Sequence, residues 1–233
     1  AIGQGVQYDS NTGVCSNGAE VTPTDGTDNV YLLELDVDGT SAVTINGKAY
    51  PTKHIDENKL YVYLPAGNYT VANGNSQKIY AIADDGTVSE AAFTITGTDL
   101  VYGTDYTYPA DTGVLTILSP KAVTIANADP STSTTDRIEV ADGVSANITL
   151  AGVNIDVSSQ SDTAAFKIAD NSAGNVTITL ADGTTNTLKS GTGCAGLQKN
   201  GEYSEILGKL TITGTGSLTA AGGGYGAGIG GGF

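Results

Sequence analysis

One pattern restricts what this chain can fold into more than any other: a short β-branched run, a corner of small residues and a second short run, repeated. Asn147-Ile148-Thr149-Leu150 is followed by Val153-Asn154-Ile155, Val176-Thr177-Ile178-Thr179-Leu180 by Thr187-Leu188, and Leu210-Thr211-Ile212-Thr213 by Ser217-Leu218. Between them, Ala164-Ala165-Phe166-Lys167-Ile168, Gly193-Cys194-Ala195-Gly196-Leu197 and Gly226-Ala227-Gly228-Ile229-Gly230 supply a remaining wall. Ile148, Ile178 and Ile212 lie 30 and 34 residues apart, a period that marks stacked solenoid repeats. One repeat cannot bury its inward residues alone, so its neighbours must cover them. The stretch from Arg137 to Gly232 therefore predicts successive turns of a parallel β-helix, cut off before it finishes.

Composition agrees with an all-β chain. Only 15% of the 233 residues are charged, 32 are glycine, and the apolar runs are rich in β-branched residues. Ten basic against 25 acidic residues leave a formal charge of -15, a surface that repels phosphate backbones and anionic membranes. Nucleic acid is thereby disfavoured as a partner. No apolar run approaches the roughly 20 residues that span a bilayer, and the first 25 residues lack the basic start and apolar centre of a signal peptide. The sequence contains no Met, which points to a piece of a longer chain or a processed product. Ala1-Ile2-Gly3-Gln4-Gly5 is also similar to Gly228-Ile229-Gly230-Gly231-Gly232, as expected of a parent built from alternating modules. Cys15 and Cys194 are expected to be two separate thiols, with Cys194 stacked as a small hydrophobe in a corner.

In chain order, residues 1–29 read as the end of a preceding coil plus a linker, with a turn at Pro23-Thr24-Asp25-Gly26. Residues 30–92 read as a small antiparallel β-sandwich or barrel. Alternation puts Tyr31, Leu33, Leu35 and Val37 on one face and Glu34, Asp36 and Asp38 on the other. Asn46-Gly47 between apolar runs marks a hairpin whose central residues both need positive φ. Residues 93–120 form a hairpin-like unit that would cap the solenoid and keep its open end from pairing with other chains. Residues 121–233 would be the parallel β-helix, and no stretch sustains a helical period.

The runs Asp136-Arg137-Ile138-Glu139-Val140-Ala141-Asp142-Gly143, Ile148-Thr149-Leu150-Ala151-Gly152, Val176-Thr177-Ile178-Thr179-Leu180-Ala181-Asp182-Gly183 and Leu210-Thr211-Ile212-Thr213-Gly214 resemble a known family. It is the clostridial "carbohydrate-binding domain" β-helix family of large surface proteins from gut and cellulolytic bacteria, and the resemblance covers roughly residues 114–233. It implies a right-handed parallel β-helix that binds polysaccharide, with calcium along the solenoid. The glycine-rich tail, 222–232, is similar to coils of gut commensal surface proteins, some of which are immunoglobulin-binding superantigens.

Several residues are candidates for the chemistry. Asp156, Asp162, Asp170 and Asp182 recur near the corners of adjacent turns, where stacked carboxylates and carbonyls would suit calcium; they are equally the ordinary residues of solvated turns. Tyr61 and Tyr63 lie opposite Leu60, Val62 and Leu64, so if the leucines point inward these rings face solvent and offer a platform for a sugar or a protein. Otherwise they are strand residues covering cross-strand neighbours. Tyr102, Tyr106 and Tyr108 carry the same alternatives. Asn154, Asn175 and Asn186 would either present a polar ladder to a polysaccharide or stabilise the solenoid from within.

Catalysis has little support. His54 is the only histidine, no Gly-x-Ser-x-Gly elbow accompanies it, and Arg137 is the only arginine, where a lyase would need a strong cationic base on the solenoid wall. The expectation is a non-catalytic adhesin module at a bacterial cell surface, holding host or plant glycan with calcium as cofactor. The alternatives are a module that binds host immunoglobulin, a structural spacer and, last, a polysaccharide lyase.

Overall fold

A computed structural model of the chain describes residues 6–9, 14–17, 30–37, 42–50, 55–56, 58–109, 112–201 and 207–232. The segments 1–5 and 18–29, and His54, lie outside the described residues, as do the side chains of the strand that carries Cys15. Among the described residues every regular element is a strand, so the chain is all-β. It divides into two units, Ala1–Gly74 with Tyr80–Glu90, and Asn75–Ile79 with Ala91–Phe233.

The first unit is antiparallel throughout. Strands β1 (Val6–Asp9) and β2 (Val14–Asn17) pair with each other. β3 (Val30–Asp36) is followed by β4 (Val43–Ile45), β5 (Lys48–Tyr50), β6 (Ile55–Asp56), β7 (Lys59–Pro65) and β8 (Gly67–Asn73). β9 (Ser76–Ile82) contributes its last three residues here and pairs with β10 (Val88–Glu90). One sheet has the order β3-β7-β6; in another, β4 lies between β5 and β8. Leu33, Leu35, Leu60, Val62 and Leu64 point inward to meet Val43, Ile45, Val71 and Ile82 in one core. This is the alternation expected of half-buried strands, with the even positions of β3 left outside. Asn46 and Gly47 both have positive φ, 49° and 74°, as the tight β4–β5 turn requires.

The second unit is a stack. After β11 (Phe93–Thr96), β12 (Tyr106–Thr107) and β13 (Val114–Ile117), the chain forms β14 (Ala122–Asn127), β15 (Arg137–Val140), β16 (Asn147–Leu150) and β17 (Asn154–Asp156). It continues through β18 (Phe166–Ile168), β19 (Val176–Leu180), β20 (Thr185–Lys189) and β21 (Leu197–Lys199) to β22 (Leu210–Gly214), β23 (Ser217–Ala221) and β24 (Ile229–Gly230). Three parallel ladders result: β13-β15-β18-β21-β24, β14-β16-β19-β22 and β17-β20-β23. Val123, Ile148, Ile178 and Ile212 are consecutive partners in one ladder, and Leu115, Ile138, Phe166, Leu197 and Ile229 in another. The repeat in the sequence is thus a register in space. The parallel stack already includes β13, earlier than residue 121, while β11 and β12 run antiparallel to it and place Phe93, Tyr106 and Tyr108 in its core.

Buried polar side chains hold the corners. The Asn186 amide oxygen accepts from the Gly152 and Val153 amides of the preceding turn at 3.0 and 2.9 Å, and its NH2 donates to the Ser217 carbonyl of the next at 3.1 Å. Asn127 bonds the Asn154 backbone in both directions, and the Ser190 hydroxyl accepts from Ala165 and donates to Ala195. Among the described residues, no buried side-chain polar atom is left without a partner. That is what a buried amide needs if it is not to destabilise the core. Small residues complete the corners: a Cβ on Gly174 would collide with the Val144 backbone, and one on Gly208 with the Gly174 carbonyl.

A buried carboxylate ties down the segment before β13. Asp105 accepts from the Val101 amide at 2.8 Å, the Ser119 hydroxyl at 2.7 Å and the Lys121 ammonium at 2.9 Å. Burial alone would raise its pKa, but these three donors outweigh burial and hold it below its ordinary 3.8. A carboxylate with a depressed folded pKa stabilises above its unfolded value and loses that contribution as pH falls through the folded one. The window therefore lies below about pH 4. Asp105→Asn is expected to cost roughly 2 kcal/mol at pH 7, with a smaller difference from wild type at pH 3. Urea melts at the two pH values check this; equal differences would remove Asp105 from the acid response.

Candidate functional site

The outer face of the β3–β7 pair is where the structure gathers chemistry at the surface. Because Leu60, Val62 and Leu64 are buried, Tyr61 and Tyr63 are turned to the opposite face, as the sequence implied. Register then brings in the partners: Tyr61 sits opposite Glu34, Tyr63 opposite Leu32, and Lys59 opposite Asp36. Tyr61 and Leu32 are each 43% exposed, and Tyr63 is half-buried. The Lys59 ammonium bridges the Glu34 carboxylate and lies 3.4 Å from that of Asp36. Glu34, then Asp36, push its pKa up. The face thus carries an aromatic and aliphatic centre beside a charged, hydrogen-bonding border. Such a surface can take the apolar face of a sugar ring or an aromatic-anchored protein contact.

The other candidates lie elsewhere. Tyr106 is not available to a ligand: it is 1% exposed, and its hydroxyl donates to the Gln77 side chain, whose NH2 donates to the Leu100 carbonyl at 2.8 Å. Burial, then Tyr102, pushes its pKa up. Tyr102 meets it edge-on at 5.6 Å and keeps an exposed flank. Tyr108 is buried too, stacked on Phe93 and donating to Asp136. Asn186 is fully buried, because its amide supplies the corner bonds described above. Asn154 is half-buried at the next corner, and Asn175 accepts from the Lys209 amide at 2.8 Å. Asn175 and Asn186 therefore bond between turns through their side chains, whereas Asn154 does so through its backbone, to Asn127.

The four aspartates do not converge. Asp156 accepts from Ser158 and lies 3.1 Å from the Lys189 ammonium one turn on; Ser158, then Lys189, hold its pKa below the ordinary range. Asp170 pairs with Lys167 at 3.0 Å, and Asp182 accepts from Thr215 at 2.7 Å. Asp162 sits at a corner with φ 54°. Among the described residues, no three His, Cys, Asp or Glu side chains gather as metal ligands would. Cys194 is a buried free thiol, its pKa raised chiefly by burial.

Leu32 and Lys59 belong to the β3–β7 face and were not singled out in the sequence. The signal for Leu32 was present, since it occupies an even position in a strand whose other even positions are Glu34 and Asp36. Its neighbour Tyr63 is visible only once the strand register is known. No family model, curated protein or solved structure matches the chain.

Proposed function

We propose that the chain is a non-catalytic binding module of a large bacterial surface protein, displayed outside the cell, and that it holds glycan on the outer face of β3 and β7. The observation that carries this is the exposed Tyr61 ring beside Glu34, Asp36 and Lys59. An aromatic face accepts the C–H surface of a sugar, and carboxylate and ammonium groups at its edge satisfy the hydroxyls. Calcium at the solenoid corners is a separate part of the reading, tested by chelation.

A second reading, immunoglobulin binding, draws on Leu32. An exposed leucine facing Tyr63 makes the centre of the face more apolar than a sugar requires, and an apolar centre with a polar rim is the anatomy of a protein interface.

The test is a glycan array beside a pull-down from immunoglobulin-containing secretions, with and without EDTA, for wild type, Tyr61→Ala and Leu32→Ser. Tyr61→Ala is expected to weaken glycan binding roughly 30-fold, about 2 kcal/mol for a lost aromatic anchor. Capture of antibody that survives glycan competition and falls in Leu32→Ser would favour the second reading. Glycan binding unchanged by Tyr61→Ala would move the site off this face, and glycan binding lost in EDTA would give calcium a role.

A further inference from the structure

Polarity on the outer face of β3 and β7 changes along the strands. The pairs Lys59–Asp36 and Tyr61–Glu34 make one end charged, and Tyr63–Leu32 stands next to them. Beyond Leu32 the face stays apolar, with Val30 opposite Pro65. Successive pairs on one face are about 7 Å apart, and diagonal neighbours remain within reach of long side chains. Leu32 is therefore one step from the Glu34 carboxylate, across from the two tyrosine rings of β7.

The charged end is not balanced. Two carboxylates, Glu34 and Asp36, share the Lys59 ammonium, which is the only cation in either strand. A sugar carboxylate or sulfate arriving here meets a net negative rim on a chain of net charge -15, and is repelled. A neutral amide N–H is welcome at the same place. Glu34 offers about four lone-pair sites, and Lys59 takes one of them through Oε1. Next to it, exposed Leu32 beside the Tyr63 ring is more apolar than a sugar of hydroxyls alone requires, and a methyl group fills that need by covering it from water.

We propose that the glycan held on β3 and β7 is one that carries N-acetylhexosamine, and that the face turns away uronic and sulfated sugars. The acetamido N–H donates to Glu34, its methyl rests on Leu32 and the Tyr63 ring, and the pyranose lies over Tyr61. An acetamido group is the one common sugar substituent that joins a neutral donor to a methyl, which is the pairing that Glu34 and Leu32 present. This assignment rests on the glycan reading of the face and adds the chemical class of the sugar.

Isothermal titration with three soluble trisaccharides tests it: triacetylchitotriose, cellotriose, which has hydroxyls where the first has acetamido groups, and trigalacturonate. Wild type is expected to bind the acetylated trimer about 10-fold more tightly than cellotriose, the discrimination one small substituent gives in a matching site. Trigalacturonate should bind more weakly than either. Leu32→Ala and Glu34→Gln should each cut the preference for the acetylated trimer severalfold, and Glu34→Gln should also strengthen binding of trigalacturonate. Leu32 and Glu34 are exposed, so both variants keep the fold. If cellotriose binds as well as the acetylated trimer, and Tyr61→Ala weakens both, the glycan site stands and the N-acetyl assignment is overturned. Tightest binding of trigalacturonate overturns it as well. If none of the three binds, the glycan reading of the face fails and this assignment falls with it.

Discussion

Gly174→Ala is expected to destabilise the second unit by about 3 kcal/mol, the upper part of the range for forcing extra atoms into a packed interior. The reason is contact between turns. The new methyl would sit on the Val144 carbonyl, a backbone group fixed by the ladders on either side of it and unable to move as a side-chain tip would. Gly143 provides the comparison. It has φ 70° and open space around its would-be Cβ, so Gly143→Ala meets only left-handed strain of about 1 kcal/mol. Urea melts followed by far-ultraviolet circular dichroism should rank the two variants in that order. The reverse order would mean that the turns are not in backbone contact at this corner.

Asn186→Ala is expected to cost a similar amount, about 3 kcal/mol, for a different reason. It deletes few packing atoms, but it strips the side-chain partner from the Gly152 and Val153 amides and one of the donors from the Ser217 carbonyl, at a position with no access to water. Each buried group so orphaned costs about 1–3 kcal/mol, softened by relaxation of the corner. Asn154→Ala, at a half-buried site, should stay within about 0.5 kcal/mol of wild type. Equal losses in the two variants would argue that the corners draw their stability from packing alone. The Asn186 amide protects the Gly152 and Val153 protons directly, so hydrogen exchange at those two amides gives an independent readout.

What could be read in the sequence follows from which forces are local. The alternation in β3 and β7 needs only neighbouring residues, and it placed Leu33, Leu35, Leu60, Val62 and Leu64 inside and Tyr61 and Tyr63 outside. The Asn46-Gly47 turn is local too. The repeat was legible because inward isoleucines recur, and the parallel pairing of Ile148, Ile178 and Ile212 follows it. Polar residues were harder to place. An asparagine at a corner looks the same in sequence whether its amide faces water or the next turn, and the Asn186 amide is turned inward, onto the Gly152 and Val153 amides and the Ser217 carbonyl. Tyr106 is likewise buried through its bond with Gln77, 29 residues away. The β3–β7 face was half legible, since its tyrosines follow from alternation while the pairing of Leu32 with Tyr63 depends on register.

The in-register isoleucines have a consequence for how such a chain can change over time. From Val123 to Ile148 is 25 residues, from Ile148 to Ile178 is 30, and from Ile178 to Ile212 is 34, yet all four stand in line in one ladder. The coil's circumference is therefore set by its walls and by the amides that pin its corners, while the chain between them is free to vary in length. Evolution can write insertions into those corners, and an engineer can graft peptides there, without shifting a single wall strand against its neighbour. A stack of this kind works as a display rack whose shelves stay fixed while what protrudes from them is rewritten.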